Sequence, residues 1–203
     1  MKNPTKSKGV DAKGTEPKNL EAKPVAAKGA QAPGAAPTTV VGRGATDQEA
    51  LSTSIDADGR NAVADALKVA LADSYAMYVK TLGVHWNVTG PSFFGLHTLT
   101  DAQYKELHTA ADVIAERIRA LGHVAPASFS EFRAASCVDV ETPHKSTPEM
   151  LKELVADNEA VARRMLEASN IAEDNDDKFT EDMLIARIGV HEENAWMLRA
   201  SLG

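Results

Sequence analysis

The chain has 203 residues, of which 43% are hydrophobic and 25% charged, and its net charge is -7. This composition is typical of a soluble globular protein, and no run of 18 apolar residues is present that could cross a bilayer. A single cysteine, Cys137, excludes an internal disulfide, and the lysine-containing N-terminus lacks the apolar stretch of a secretory signal. We therefore expect a cytoplasmic protein that does not associate with membranes.

The charge is divided unevenly along the chain. Residues 1–45 contain seven lysines and one arginine against three acidic residues, a net charge of +5, which leaves -12 for residues 46–203. The first segment has no Phe, Trp, Tyr or Ile and is rich in Ala, Gly, Pro and Lys, so it cannot bury enough apolar surface to offset the entropy of ordering. We predict a disordered tail over residues 1–45 and one domain over residues 46–203.

Two long helices are predicted in the first half of this domain. Between residues 58 and 85, apolar residues recur at spacings of three and four, which is the period of a helix. The Gly90-Pro91 pair then predicts a turn. Helical spacing returns between Leu96 and Leu121, where Gly122 follows at the position of a C-terminal cap.

The second half predicts a long crossover and two further helices. Residues 123–146 contain two prolines and few periodic positions, although residues 128–135 predict a short helix. Thr147, followed by Pro148 and Glu149, predicts the start of the third long helix with Thr147 as its capping residue. An acidic segment at 173–177 separates it from a fourth. Because no segment alternates with a period of two, we predict an all-α four-helix bundle.

One face of the second long helix carries a stripe of potential metal ligands. His97 and Asp101 are four residues apart, as are Asp112 and Glu116, and the eleven residues between the two pairs bring them to within about 20° of the same face. His85 lies just upstream, across the turn. A solvated helix face would produce a similar stripe, but this one has no lysine partner, and imidazole with carboxylate suits iron, manganese or zinc.

One helix cannot complete such a site, because about 16 Å of helix separates the two pairs. The chain also lacks the two helical Glu-x-x-His motifs of single-chain diiron bundles, since its only copy, Glu141 to His144, contains a proline and lies in the crossover. The simplest solution is symmetric. Two copies of the helix, packed antiparallel about a two-fold axis near Glu106 and Leu107, would bring the first pair of one copy to the second pair of the other.

The same residues carry a resemblance to a known family. The sequence resembles the Dps family, DNA-binding proteins from starved cells, over residues 58–203. The stretches that match are His85-Trp86-Asn87-Val88-Thr89-Gly90-Pro91, Phe93, Leu96-His97, Asp101, Tyr104, Ala111 to Arg117 and Trp196-Met197-Leu198.

The resemblance implies a ferritin-like subunit, a hollow homododecamer and a ferroxidase centre at each two-fold interface. It places His85, His97 and Asp101 on one subunit and Asp112 and Glu116 on its partner, with Glu116 bridging two irons. It further implies that Fe(II) is oxidised preferentially by hydrogen peroxide and stored as a ferric mineral. We expect two irons per site, and other divalent metals can substitute for them.

Two further groups of residues have competing interpretations. By resemblance, the acidic residues near the start of the last helix line a three-fold entry pore, although acids at a helix start are also favoured by its dipole. Trp86 either intercepts radicals beside His85 or simply packs at a helix end. The remaining histidines have no partner motif and are expected to be accessory, surface or hydrogen-bonded residues. The candidate pore residues are Asp174, Asp177, Glu181 and Asp182.

The lysines of the tail predict binding to DNA without sequence specificity, because many cationic tails on one assembly would contact phosphates together. Solubility or contact with another protein would also explain them. Three functions follow: a ferroxidase and iron store associated with the nucleoid, a mainly structural protein that compacts DNA, and a metalloenzyme acting on an organic substrate. The absence of paired Glu-x-x-His motifs counts against the third. The lysines are Lys2, Lys6, Lys8, Lys13, Lys18, Lys23 and Lys28.

Overall fold

A computed structural model describes residues 52–140 and 145–203. In these residues the structure is all-helical, with no strand: α1 (Ala57–Asn87), α2 (Phe93–Ala120), the short α3 (Phe129–Ala135), α4 (Thr147–Asp174) and α5 (Lys178–Ala200). This confirms the predicted four long helices and the short helix in the crossover. The predicted tail, residues 1–45, and the Glu141 to His144 motif lie outside the described residues.

The helices end where local hydrogen bonding favours it. At the end of α2, Gly122 adopts a φ of 88°, and the backbone N–H of His123 donates to the Ile118 carbonyl at 3.1 Å. Glycine adopts this left-handed conformation without strain, as the sequence predicts. The start of α4 differs by one residue from the prediction. Ser146 is the N-cap, because the Glu149 carboxylate accepts from both its backbone N–H and its hydroxyl.

Cross-helix contacts define the directions of the four long helices. On α1 and α4, Lys80 pairs with Asp157 at 2.6 Å and Asp73 with Arg164 at 3.1 Å, so these helices are antiparallel. The short turn between α1 and α2 makes them antiparallel as well. Helices α2 and α4 therefore run in the same direction, which requires the long crossover between them, as in ferritin-like bundles.

The crossover is fastened to the bundle at Asp73, a fully buried residue of α1. Its Oδ1 accepts from the Ser136 hydroxyl at 2.9 Å, the Cys137 backbone N–H at 2.8 Å and Arg164. Phe132 of α3 stacks on Tyr75 with ring centroids 4.6 Å apart. These contacts hold α3 beside α1.

The core is built from the inward faces of the four long helices. Within the described residues, no helix is long and apolar enough to cross a membrane. The largest fully buried side chains are Leu67, Met77, Leu107, Ile114, Ile118, Leu121, Leu151, Leu154, Met165, Leu184, Leu198 and His191.

Candidate metal centre

Two histidines meet where α1 ends and α2 begins. His85 lies in the last turn of α1 and His97 in the second turn of α2, and their rings stack with centroids 3.8 Å apart. Nδ1 of each ring lies 2.9 Å from the backbone carbonyl oxygen of the other residue. The turn between the helices therefore produces a reciprocal pair of hydrogen bonds.

These hydrogen bonds define the tautomer of both rings. A carbonyl oxygen only accepts, so Nδ1 must carry the proton in each ring. In the neutral imidazole the lone pair then lies on Nε2. Histidines that bind metals are typically oriented in this way, with the other ring nitrogen donating to a backbone carbonyl or a carboxylate. His85 and His97 thus have the hydrogen-bond pattern that is typical of metal-binding histidines.

Asp101 lies one turn beyond His97 on α2. Its carboxylate accepts from the Tyr104 hydroxyl at 3.0 Å and from the Lys105 ammonium at 2.7 Å. The hydrogen bond from Lys105 is the largest influence on the pKa of Asp101 and, together with that from Tyr104, holds it below its usual value, although desolvation opposes this by more than the Tyr104 bond contributes. The carboxylate is therefore ionised and hydrogen-bonded.

Lys105 corrects one expectation from the sequence. The ligand stripe was predicted to have no lysine partner, yet Lys105 pairs with Asp101 at the i, i+4 spacing of a helix. Its side chain is 63% exposed, so it is held only by this contact with the carboxylate and a cation–π contact with Tyr104. A cation bound at Asp101 would compete with Lys105 for the same oxygen.

Asp112 and Glu116 lie on the same helix but away from these three residues. Both are exposed, as is Val113 beside them. Across the part of the chain that the structure describes, no three His, Cys, Asp or Glu side chains converge on a point that could hold a metal ion. A single subunit therefore brings His85 and His97 together with Asp101 beside them, and leaves the acidic pair facing outward.

Aromatic rings surround the two histidines. Phe93 stacks on His97 with a centroid distance of 5.1 Å, and Tyr104 meets His85 edge-on at 5.2 Å. Trp86 projects away from the bundle with 69% of its surface exposed, so it does not pack within its own subunit. Tyr104 was not identified as a site residue from the sequence, although its position three residues after Asp101 is a signal that could have shown it.

An open groove of about 290 Å³ lies between α2 and α3, next to Asp112. Its lining is mainly apolar. His108 is one of the lining residues, and its ring meets the ring of Tyr78 edge-on with centroids 5.3 Å apart. Leu107, which lies at the predicted two-fold axis, is buried in the core. A partner subunit related by that axis would therefore contact the exposed residues next to Leu107. The groove is lined by Leu71, Tyr75, His108, Ala111, Asp112, Ala115, Pro126, Ala127 and Phe132.

The four candidate pore residues have different environments. Asp174 and Asp182 are exposed, and Glu181 pairs with Lys178 at 2.9 Å. Asp177 is only 2% exposed: it caps α5 by accepting from the Thr180 N–H at 3.1 Å, and both of its oxygens lie 2.7 Å from Arg117. Its burial and its ion pair with Arg117 set this residue apart from the exposed candidates Asp174 and Asp182.

Two of the histidines without partner motifs differ from the expectation that they lie at the surface or are fully hydrogen-bonded. His123 and His191 are buried, and Nε2 of each has no hydrogen-bond partner among the described residues. Burial lowers the pKa of both, and that of His191 falls to about 3. His144 lies outside the described residues.

Comparison with known proteins identifies the family. The model of the ferritin-like domain matches residues 64–203. The DNA protection during starvation protein 2 of Bacillus anthracis is 33% identical over 140 residues, which cover 69% of this chain and 96% of that protein.

Solved structures agree with this match. The Dps protein of Bacillus brevis superposes with a TM-score of 0.70 and 31% identity, covering 73% of this chain and all of that one. The Dps of Vibrio cholerae, described as a member of a broad superfamily of ferritin-like diiron-carboxylate proteins, gives a TM-score of 0.71 at 27% identity, covering 76% of this chain and 98% of that one. The bundle, its crossover and these matches together show that the chain is a ferritin-like protein belonging to the Dps family.

Proposed function

We propose that this protein is a ferroxidase and iron store, in which each oxidation site is shared between two subunits. The reciprocal hydrogen bonds of His85 and His97 carry this proposal, because they engage Nδ1 of each ring and leave Nε2 of each ring for a metal, while Asp101 follows His97 by one helical turn. Imidazole and carboxylate together suit iron. Fe(II) is the substrate here, and other divalent metals of similar ligand preference compete for the same atoms.

A second subunit supplies the rest of the ligands. Asp112 and Glu116 are exposed, and about 16 Å of α2 separates them from His97 and Asp101, so they serve the site of a two-fold related copy. Two equivalent sites result, each holding up to two irons, with Glu116 placed to bridge them. The apolar groove beside Asp112 and the exposed Val113 are surfaces that such a partner covers.

The ligand types explain the reaction. Anionic carboxylates stabilise Fe(III) more than Fe(II) and so favour oxidation. Hydrogen peroxide takes up two electrons, and two Fe(II) ions at one site supply one each, so no hydroxyl radical is released. Peroxide is therefore the preferred oxidant. Trp86, exposed next to His85, intercepts any radical that forms when only one iron is present.

The ferric product accumulates inside a cage of twelve subunits. The net charge of -12 on residues 46–203 attracts cations and favours mineral nucleation. The carboxylates available to line an entry pore are those of Asp174, Glu181 and Asp182, because Asp177 forms an ion pair with Arg117. The tail lysines, at +5 for each tail, bind DNA without sequence specificity and associate the cage with the nucleoid in the cytoplasm.

A mainly structural role in compacting DNA is the second candidate. It rests on the seven lysines of the tail and on relatives named for DNA protection during starvation. In that case the ligands of α2 would be dispensable for protecting DNA, whereas the ferroxidase requires them.

Stopped-flow measurement of Fe(II) oxidation by peroxide tests the ferroxidase directly. We expect His97→Ala and Asp112→Ala each to slow the fast phase about 100-fold, because a side chain that binds the metal contributes at least as much as the groups that only orient such a side chain. The control is Asp65→Ala, which removes an exposed carboxylate of α1. Oxidation by oxygen should be slower than by peroxide in the unmodified protein. Full activity in both ligand variants would refute the proposed site.

A further inference from the structure

A second polar site lies in the core of the bundle. His191 of α5 is completely buried, and its Nδ1 lies 2.8 Å from Oδ1 of Asn158. The Asn158 Nδ2 donates to the Leu154 carbonyl at 2.7 Å, so its Oδ1 is the acceptor and His191 Nδ1 carries the proton. The lone pair of His191 is therefore on Nε2, which is buried and has no hydrogen-bond partner.

Gln103 of α2 is another buried residue with a polar atom that has no hydrogen-bond partner among the described residues. It is 5% exposed, and its amide Nε2 makes no hydrogen bond. On the opposite side of α2 from the candidate ligands, it faces the core. A buried donor and a buried acceptor, both unpaired, are thus present on two long helices.

The register of α2 and α5 places these groups at the same level. Arg187 pairs with Glu106, with Nη2 3.1 Å from Oε2, and Arg117 pairs with Asp177, so the two helices are antiparallel. Gln103 precedes Glu106 by three residues, and His191 follows Arg187 by four. Because the two helices are antiparallel, both steps lead towards the same end of the bundle, and each covers about one turn. Gln103 and His191 therefore lie in one layer of the bundle.

We propose that a single internal water molecule occupies this layer and joins the Gln103 amide to His191 Nε2. Water both donates and accepts hydrogen bonds. It can therefore donate to the lone pair of His191 Nε2 and pair with either the N–H or the oxygen of the Gln103 amide. An unpaired buried polar group is costly, and ordered water is the usual remedy where protein partners are absent. The water ties α2 to α5 one turn from the ion pair of Glu106 and Arg187, and this proposal does not depend on iron.

A high-resolution crystal structure of the assembled protein tests the site itself. We expect one ordered water within about 2.7–3.2 Å of both His191 Nε2 and the Gln103 amide. A direct hydrogen bond between the two side chains, a metal ion at this position, or an empty layer would each overturn the proposal.

A double-mutant cycle on the intact assembly provides an independent test. Gln103→Leu should lower Tm by about 2–6 °C, because it removes the amide that holds the water at His191 Nε2. In a His191→Leu background the same change should instead raise Tm, since it removes a donor that no longer has an acceptor.

The control for repacking is Met77→Leu, an apolar exchange at another fully buried position on α1. It should give the same change in Tm in both backgrounds. An effect of Gln103→Leu with the same sign in both backgrounds would overturn the link. If His191→Leu fails to assemble, the crystal structure of the unmodified protein still decides the question.

Discussion

His191 shows how strongly the bundle core controls a single residue. Its complete burial disfavours the imidazolium, and the charge of Arg187 adds to this effect, so its pKa falls to about 3 from an ordinary value of 6.5. The side chain stays neutral in the folded protein. The unfolded chain, in contrast, binds a proton at this residue whenever the pH is below about 6.5.

This difference predicts a pH dependence of stability. Below pH 6.5, unfolding takes up a proton at His191. The contribution of His191 to the free energy of unfolding is therefore complete above that pH. It is lost as the pH falls towards 3, by at most about 1.4 kcal/mol per pH unit. His191→Gln should reduce the loss of Tm between pH 7 and pH 5. The control is the change in Tm between pH 7 and pH 8, which should be the same for His191→Gln and for the unmodified protein. Parallel Tm curves over the whole range would contradict the assignment.

The site residues were partly predictable from local spacing. The four-residue step from His97 to Asp101 predicts a common helix face, and the ring of His85 stacks on that of His97 across the turn. The ion pair of Asp177 with Arg117 joins residues 60 positions apart, and nothing in the local sequence indicates it. A helix start with several acids has the same pattern whether its carboxylates line a pore or cap the helix.

Helix α2 carries different chemistry on its two faces. The outward face bears the candidate ligands, and the inward face and flanks hold the helix to α5 through the pairs of Glu106 with Arg187 and Arg117 with Asp177. A cation–π contact of Arg117 with Phe179 lies at 5.1 Å beside the second pair. The position of the candidate ligands therefore depends on contacts made by other residues of α2.

Replacing Asp177 tests this anchoring. Asp177→Ala removes the cap of α5 and leaves the Arg117 guanidinium, itself only 10% exposed, without its carboxylate. We expect a loss of about 3 kcal/mol in unfolding free energy, or roughly 6–12 °C in Tm. Asp182→Ala, an exposed acid of the same helix, is the control and should change Tm little. Equal losses in the two variants would show that the burial of Asp177 contributes nothing.

The helices themselves were predictable because their apolar periodicity and end signals agree. Gly122 ends α2 as the sequence predicts, and the α3 segment begins at Ser128 with a capping box to Glu131. The cap of α4 is Ser146 rather than Thr147, since both are capping residues and only the contact with Glu149 selects between them. Such one-residue shifts are ordinary at helix ends.

At the scale of the whole molecule, the charge of the chain is separated into two parts. Residues 46–203 carry a net charge of -12, whereas residues 1–45 carry +5 and contain neither a candidate ligand nor periodic apolar positions. We therefore expect iron oxidation and DNA binding to be separable.

Deleting residues 1–45 tests that separation. Binding of the full chain to unrelated duplexes should weaken with salt, with log affinity falling by about 0.9 per phosphate contact for each unit of log salt concentration. The truncated protein should lose this binding and retain its assembly and Fe(II) oxidation. Gel shifts at several salt concentrations measure it. Unchanged affinity after truncation would move DNA binding to the surface of the domain.

For the arrangement of subunits, the sequence offers only an argument from incomplete ligand sets. Two pairs about 16 Å apart on one helix indicate that a second copy is needed. The structure of one chain agrees in leaving Asp112 and Glu116 exposed. Which surfaces of two subunits meet depends on shape and apolar area contributed by several helices, and this is not encoded in any local pattern.

Hybrid assemblies test the shared site most directly. Subunits with His97→Ala and Asp101→Ala are co-assembled with subunits carrying Asp112→Ala and Glu116→Ala, and fast Fe(II) oxidation by peroxide is measured for each parent and for the verified hybrid. Both parents should be inactive. In a hybrid dimer, one of the two sites has all of its ligands intact, so about half of the normal activity per dimer should return. No recovery in hybrids of confirmed composition, or full activity in an isolated subunit, would contradict a site shared between two chains.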